Sequence, residues 1–105
     1  MKNEKTFYVY IMASRRNGTL YIGMTSDLLG RVWQHKNGVT KGFTGKYKVH
    51  RLVYYEIHDT AETAATRERQ MKEWQRAWKI RRIEEINPAW DDLYEGITGS
   101  RPAPG

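Results

Sequence analysis

The sequence contains no cysteine, which excludes disulfides, thiolate catalysis and cysteine-ligated zinc sites. It has no apolar run near the roughly 18 residues that a membrane-spanning helix needs. Its first seven residues include no hydrophobic stretch of the signal-peptide kind. Histidine is also scarce, with three residues, so a zinc site has little support. We therefore expect a cytoplasmic protein without membrane contact.

Acidic residues are in deficit, with 12 Asp and Glu against 18 Lys and Arg, for a formal net charge of +6. Residues 67–82 carry seven basic and two acidic side chains, whereas residues 83–105 carry one basic and five acidic side chains. A basic body with an acidic end favours a polyanionic partner such as nucleic acid. Solvation of helix faces explains so small an excess equally well, so charge alone does not decide the function.

The 105 residues suffice for one domain with a modest core. Thr6–Met12 and Thr19–Gly23 are rich in aromatic and β-branched residues and are separated by Asn17-Gly18, which predicts a β-hairpin. Arg51–Ile57 predicts a third strand. With the helices predicted below, the order is β-β-α-β-α-α. We therefore predict an α+β fold in which helices flank a small three-stranded antiparallel sheet.

The first helix is expected to begin at a cap formed by Ser26 or Asp27 and to end near Lys36. Its core face should consist of Leu28, Leu29, Val32 and Trp33. After this helix, Asn37–Lys48 contains three glycines and three lysines with little periodicity. We interpret that segment as a mobile basic loop that contacts the substrate.

Asp59 followed by Glu62 resembles a capping box, which predicts that the second helix begins near Thr60. Its buried stripe should consist of Ala64, Met71, Trp74 and Trp78. A further helical segment should carry Ile80, Ile83 and Ile86 and end before Pro88. Ala89–Leu93 is expected to form one more short turn. We expect residues 1–95 to form the domain and residues 96–105 to be a disordered tail.

Five polar side chains form the candidate catalytic set. Tyr10 and Tyr21 lie on the two hairpin strands, and Arg31 and His35 share one face of the first helix. Glu68 lies among basic residues on the second helix and is the carboxylate best suited to hold a divalent ion. Taken singly, each has an ordinary explanation as a packed aromatic, a solvated side chain or a helical salt-bridge partner.

The order of three short motifs resembles the GIY-YIG nuclease family over residues 6–93. The motifs are Tyr8-Val9-Tyr10, Tyr21-Ile22-Gly23, and Asp27-Leu28 with Arg31, His35 and the later Glu68. The region from Trp74 to Leu93 is similar to the small stand-alone bacterial members. Tyr8 replaces the glycine of the family's first motif. Met24 stands where the repair-nuclease branch has a lysine, so the homing-endonuclease-like arrangement with His35 is the better template.

This resemblance implies phosphodiester hydrolysis, which needs in-line positioning and neutralisation of phosphate charge. Arg31 would bind the scissile phosphate, and Glu68 would hold a single Mg²⁺ or Mn²⁺. Tyr10 and Tyr21 would position and deprotonate the attacking water, and His35 would relay a proton or contact the phosphate. The residues expected to bind substrate are Gly23, Lys41, Lys46, Lys48, Lys72 and Asn87.

The resemblance therefore implies a metal-dependent endonuclease that acts on DNA or another structured nucleic acid. The leading alternative is a nucleic-acid-binding module of the same fold with weak or lost catalysis, and a third is a protein-interaction domain with incidental basic charge. Under the first hypothesis, selectivity would come from DNA shape, such as branches, flaps or nicks, or from a recruiting protein partner.

Overall fold

The computed structural model describes residues 5–38 and 48–98. The elements in this part of the chain are β1 (Phe7–Ala13), β2 (Leu20–Thr25), α1 (Leu28–Lys36), β3 (Arg51–His58), α2 (Ala61–Glu73), α3 (Arg76–Ile86) and α4 (Tyr94–Thr98). The strands form one antiparallel sheet in the order β2-β1-β3. The predicted α+β fold and element order are confirmed, and the structure adds α4.

Strand β1 is the central strand and is buried on both faces because its side chains alternate between two layers. Val9 and Ile11 belong to a core cluster that includes residues of α2 and α3. Tyr10 and Met12 belong to a second cluster, formed with residues of α1 and α4. The sheet therefore lies between two helical layers.

The two edges of the sheet have different surroundings. At the β3 edge, the Leu52 amide donates to Asp92 Oδ1 at 3.2 Å, and the Leu93 amide donates to Leu52 O at 2.8 Å. The segment between α3 and α4 therefore covers part of β3. At the other edge, β2 lies between the α1 layer and the α2 layer, so side chains from both helices can meet there.

Helix α1 differs from the prediction in the face that it buries. Asp27 caps it, accepting from the Gly30 amide at 3.1 Å, and Leu28 is buried as expected. Leu29 and Trp33 were predicted to be core residues but are 36% and 51% exposed, while His35 is buried. Residues 28, 32 and 35 form one stripe, because helical neighbours recur every three to four residues. The polar His35 belongs to that stripe because it meets a polar group on the sheet.

The cap of helix α2 lies one residue later than predicted, since Thr60 rather than Asp59 accepts the Thr63 amide, at 3.1 Å, and the helix begins at Ala61. The predicted stripe is correct for Ala64 and Met71 but wrong for Trp78, which is 58% exposed. The reason is a break at residues 74–75, where both ψ angles are extended, at 149° and 152°. Trp78 therefore lies on a new helix with a different orientation.

The C-terminal region is more structured than the sequence indicates. Trp90 is fully buried and donates its indole N–H to Glu84 Oε2 at 2.7 Å. Helix α4 includes residues 96–98, the first three residues of the predicted tail, and residues 99–105 lie outside the described part of the chain. None of the helices in the described ranges combines the length and apolarity needed to cross a bilayer.

Candidate active site

The candidate site is built on Tyr10, whose side chain lies on the α1 side of the central strand. Its hydroxyl forms a buried hydrogen bond of 3.2 Å with Nε2 of His35. This contact explains why the buried stripe of α1 includes a histidine. The strand alternation and the helical stripe together bring two residues 25 positions apart into direct contact.

Gly23 lies directly across from Tyr10 in the β1–β2 pairing. A Cβ at this position would be 2.7 Å from Tyr10 Oη, 2.9 Å from Tyr10 Cζ and 3.0 Å from Tyr21 Cε2. Real Cβ atoms do not approach other atoms so closely, so any larger residue would displace both tyrosine rings. The glycine of the second motif is therefore required by packing, and its predicted contact with substrate stays a prediction.

Three rings form a compact cluster around this hydrogen bond. The ring centroids of Tyr21 and His35 are 5.3 Å apart, those of Tyr10 and His35 5.9 Å, and those of Tyr10 and Tyr21 6.3 Å. Tyr10 and His35 are buried, whereas Tyr21, on the edge strand β2, is half-buried. The cluster therefore reaches solvent through Tyr21.

The charged members of the predicted set act on this cluster. Burial raises the pKa of the Tyr10 phenol well above its usual range, with Tyr21 adding to the rise, the Arg31 guanidinium opposing it and the Glu68 carboxylate reinforcing it. Burial, reinforced by Arg31, lowers the pKa of His35 from its ordinary value of 6.5. Tyr10 and His35 are therefore both uncharged at neutral pH, with one positive and one negative side chain close by.

The lowered pKa of His35 predicts a loss of stability in acid. The unfolded chain binds this proton more readily than the folded one, so stability should be complete above about pH 6.5 and fall below it. Urea unfolding midpoints, measured from pH 7.5 to 5, should decline less in His35→Gln than in the wild type. His50 and His58 are present in both proteins, so any contribution from them cancels in the difference. Parallel pH profiles would contradict the assignment to His35.

Arg31 and Glu68 approach the cluster from opposite helical layers. Arg31 is exposed on α1, where Nη1 donates to Gln34 Oε1 at a long 3.4 Å, so its guanidinium is lightly held. Glu68, on α2, accepts from Lys72 Nζ at 2.8 Å, and its side chain is 21% exposed while that of Lys72 is 51% exposed. The Lys72 ammonium is half-exposed, so another cation can take its place beside Glu68.

A divalent ion would have one protein carboxylate here, from Glu68. Within the described residues, no three His, Asp or Glu side chains converge as a preformed metal cage. Mg²⁺ does not need one, because it retains several waters and commonly binds through one or two carboxylates together with substrate phosphates. The residues therefore fit a Mg²⁺ or Mn²⁺ ion that binds together with a phosphate-bearing ligand.

Asn87 was predicted to bind substrate, and in the structure its side chain forms hydrogen bonds within the protein. Its Nδ2 donates to Val53 O at 3.0 Å and to Asp91 O at 2.9 Å, and its Oδ1 accepts the Asp91 amide at 3.0 Å. The residue is buried, so these bonds fix the turn after α3 against β3. The structure therefore gives Asn87 a role in fixing the fold, and its predicted contact with substrate stays a prediction.

Most of the predicted basic loop lies outside the described residues. Lys41 and Lys46 lie outside the described residues. Lys48 is exposed and has a left-handed backbone with φ of 54°. Its predicted contact with substrate, like those of the other two lysines, stays a prediction.

The sequence interpretation did not include Lys79 in the site. The structure places it with Lys72 in a groove beside β2, whose lining also includes Tyr21. Lys79 belongs to α3 and Lys72 to α2, on either side of the extended residues 74–75. In the sequence, the signal for Lys79 as part of this groove was the high density of basic residues in the region. Helical periodicity gave none, because it does not extend across the break.

Comparison with known proteins identifies the family. Residues 6–81 match the GIY-YIG catalytic domain. The chain belongs to the GIY-YIG family. UPF0213 proteins of Staphylococcus saprophyticus and Staphylococcus epidermidis are each 35% identical over 78 residues, which cover 74% of this chain and 94% of theirs. These relatives are small proteins that consist almost entirely of the matched region.

The fold of this GIY-YIG protein is also found in a solved structure. The solution NMR structure of the UPF0213 protein BH0048 from Bacillus halodurans superimposes with a TM-score of 0.53 at 24% identity. The match covers 86% of this chain and 95% of that one. The resemblance inferred from the sequence motifs is therefore confirmed at the level of family and fold.

Proposed function

We propose that this GIY-YIG protein is a metal-dependent endonuclease that hydrolyses phosphodiester bonds in DNA, with selectivity for DNA structure. The observation that carries the proposal is the contact between Tyr10, Tyr21 and His35, packed against Gly23 and influenced by Arg31 and Glu68. Nuclease chemistry uses these side chains in complementary roles. A plain structural cluster would not need charges of both signs beside two uncharged proton carriers.

Arg31 binds the scissile phosphate in this proposal. A guanidinium presents paired donors that match two phosphate oxygens, and its positive charge offsets the negative charge that develops during phosphoryl transfer. Within the described part of the chain, the side-chain hydrogen bond that the exposed Arg31 would give up to such a ligand is the weak one with Gln34.

Tyr10 orients the attacking water and does not act as a free phenolate. Its raised pKa keeps it protonated at neutral pH, so in this proposal Tyr10 takes part in deprotonating water only together with a second proton acceptor. With the hydroxyl donating to His35 Nε2, the phenolic oxygen retains lone pairs that accept a proton from water. The proton then moves along the Tyr10–His35 hydrogen bond, and the uncharged imidazole is the group able to receive it.

Glu68 holds the Mg²⁺ or Mn²⁺ ion in this proposal. Such an ion polarises the phosphate and stabilises the leaving oxygen. A bound ion would replace Lys72 as the partner of Glu68, and the Lys72 ammonium would then be available to a neighbouring phosphate.

The test is a cleavage assay on labelled single-stranded, duplex, nicked, flapped and branched DNA, with Mg²⁺, with Mn²⁺ and with chelator. The double variant Arg31→Met/Glu68→Gln, purified in parallel, controls for contaminating nucleases. Metal-dependent cleavage by the wild type alone, strongest on a flapped, nicked or branched substrate, is the expected result. Salt-sensitive binding without cleavage would instead favour a binding module, and neither binding nor cleavage would favour the protein-interaction hypothesis.

Gly23→Ala should reduce turnover by about 10²-fold, because displacement of catalytic groups by about 1 Å has an effect of this size. The added methyl group would push Tyr10 Oη and the Tyr21 ring out of place. Single-turnover rates at saturating DNA measure the effect, and Gly96→Ala is the control because a Cβ there meets nothing within 4 Å. Unchanged turnover in Gly23→Ala would show that the ring positions are not critical.

A further inference from the structure

A groove runs along the edge strand β2 and leads away from the candidate site. It is lined by Leu20, Tyr21, Ile22, Lys72 and Lys79. Tyr21 belongs to both features, since its ring also packs against His35. Lys72 likewise lines the groove and pairs with Glu68. The groove and the candidate site are therefore continuous.

Both lysines of the groove keep hydrogen-bonding capacity for a ligand. Lys79 Nζ donates to the Lys72 backbone carbonyl at 3.3 Å, which holds the ammonium beside the end of α2. An ammonium group has three N–H donors, so two remain on Lys79. Lys72 likewise has two beyond its bond to Glu68. The groove thus combines two cationic groups with apolar walls from β2.

The basic surface continues beyond the groove toward the hairpin turn. Arg76, one helical turn before Lys79, donates from Nη2 to Asn17 O at 2.8 Å and to Gly18 O at 2.7 Å. These bonds hold the β1–β2 turn against the start of α3. The same turn carries two exposed arginines, Arg15 and Arg16. Cationic side chains therefore follow the β2 edge from the candidate site to the hairpin tip.

We propose that this groove binds the sugar–phosphate backbone of the DNA strand that is cut, next to the scissile phosphate, with Lys79 as a phosphate-binding residue. The proposal rests on the proposed function and adds the path of the substrate to it. A polyanion fits because the two ammonium groups can each bind a phosphate, and the apolar wall accepts the sugars and bases between them. In this arrangement the strand continues toward Arg15 and Arg16.

The test measures DNA binding without metal, so it does not depend on catalysis. The affinity of labelled single-stranded and duplex DNA is followed by fluorescence anisotropy, in chelator, over a series of salt concentrations. Each phosphate contact contributes about 0.7 to 0.9 to the slope of log affinity against log salt. Lys79→Gln should lower the slope by about that amount and weaken binding several-fold at low salt. Arg15→Gln/Arg16→Gln should also lower it.

Two variants make the test specific. Arg81→Gln is the matched control, because Arg81 lies two residues further along α3, is 79% exposed and pairs only distantly with Glu85, at 3.9 Å. Its slope should equal that of the wild type. Lys79→Arg keeps the charge and should restore the slope, which separates phosphate binding from a structural role of the Lys79–Lys72 contact. An unchanged slope in Lys79→Gln, or an equal decrease in Arg81→Gln, would overturn the proposal.

The groove and the nuclease activity can fail separately. If the wild type cuts none of the DNA panel while Lys79→Gln still lowers the slope, the groove stands and the nuclease proposal fails. If the wild type cuts DNA with metal but Lys79→Gln binds with an unchanged slope, the groove proposal alone is overturned.

Discussion

Glu68→Gln is expected to reduce metal-dependent cleavage by about 10³-fold while leaving DNA binding intact. Replacing the carboxylate by an amide removes the charge that holds the ion, and a bound metal contributes several kcal/mol of transition-state stabilisation. Binding should survive because the lost charge is negative and Lys72, freed from its ion pair, remains beside the groove. Cleavage rates over a Mg²⁺ titration and anisotropy in chelator measure the two effects separately.

Glu73→Gln is the matched control for this experiment. Glu73 is an exposed carboxylate on the same helix, and it lines a different depression, with Trp74 and Trp78. Its loss changes the net charge equally but should leave cleavage within about two-fold of the wild type, because exposed charges have small effects. Equal losses in both variants would point to general electrostatics and would remove Glu68 from its proposed role as metal ligand.

Lys72→Met tests the competition between lysine and metal for Glu68. Without the ammonium, a divalent ion no longer displaces a cation from the carboxylate, so half-saturation should occur at a lower Mg²⁺ concentration. DNA binding should weaken at the same time, because a groove lysine is lost. The two opposite shifts distinguish this role from simple destabilisation, which would weaken both.

The sequence predicts the sheet well because each strand has a local signature. Asn17-Gly18 sets the hairpin, and the aromatic and β-branched segments on either side set its strands. The buried faces of the helices were harder to predict, since the burial of a helical residue depends on the tertiary contacts that it makes. His35 is buried because Tyr10 supplies a polar partner, and Trp78 is exposed because the chain bends at residues 74–75. Neither the polar partner of His35 nor the bend before Trp78 leaves a recognisable pattern in the local sequence.

The candidate site shows the same division. The motif order predicted the set Tyr10, Tyr21, Arg31, His35 and Glu68, and the structure places these residues around the paired strands β1 and β2. The contacts of each residue follow from the tertiary structure and could not be predicted from the motifs. Gly23 proved to be a packing requirement, and Asn87 is hydrogen-bonded within the fold. Lys79 became visible only when two helices separated by a break were placed beside β2.

Arg31→Met is expected to lower cleavage by about 10³-fold at saturating DNA, the scale found when an arginine that stabilises phosphoryl-transfer charge is removed. Arg31→Lys keeps the charge without the paired donors, so it should recover only part of this loss. Arg69→Met, which removes an exposed arginine from α2, is the control and should leave the single-turnover rate nearly unchanged. Full activity in Arg31→Met would exclude Arg31 from phosphate binding.

A second readout separates this role from a structural one. The Arg31 guanidinium helps to hold the pKa of His35 below its ordinary value of 6.5, so its removal should raise that pKa. An NMR titration of the His35 ring in the DNA-free protein measures the change, and Arg69→Met should show none. A loss of cleavage together with this rise would show that Arg31 faces the Tyr10–His35 hydrogen bond. A loss of cleavage with an unchanged His35 pKa would show that Arg31 acts away from the cluster, and the scissile phosphate would then have to be placed elsewhere.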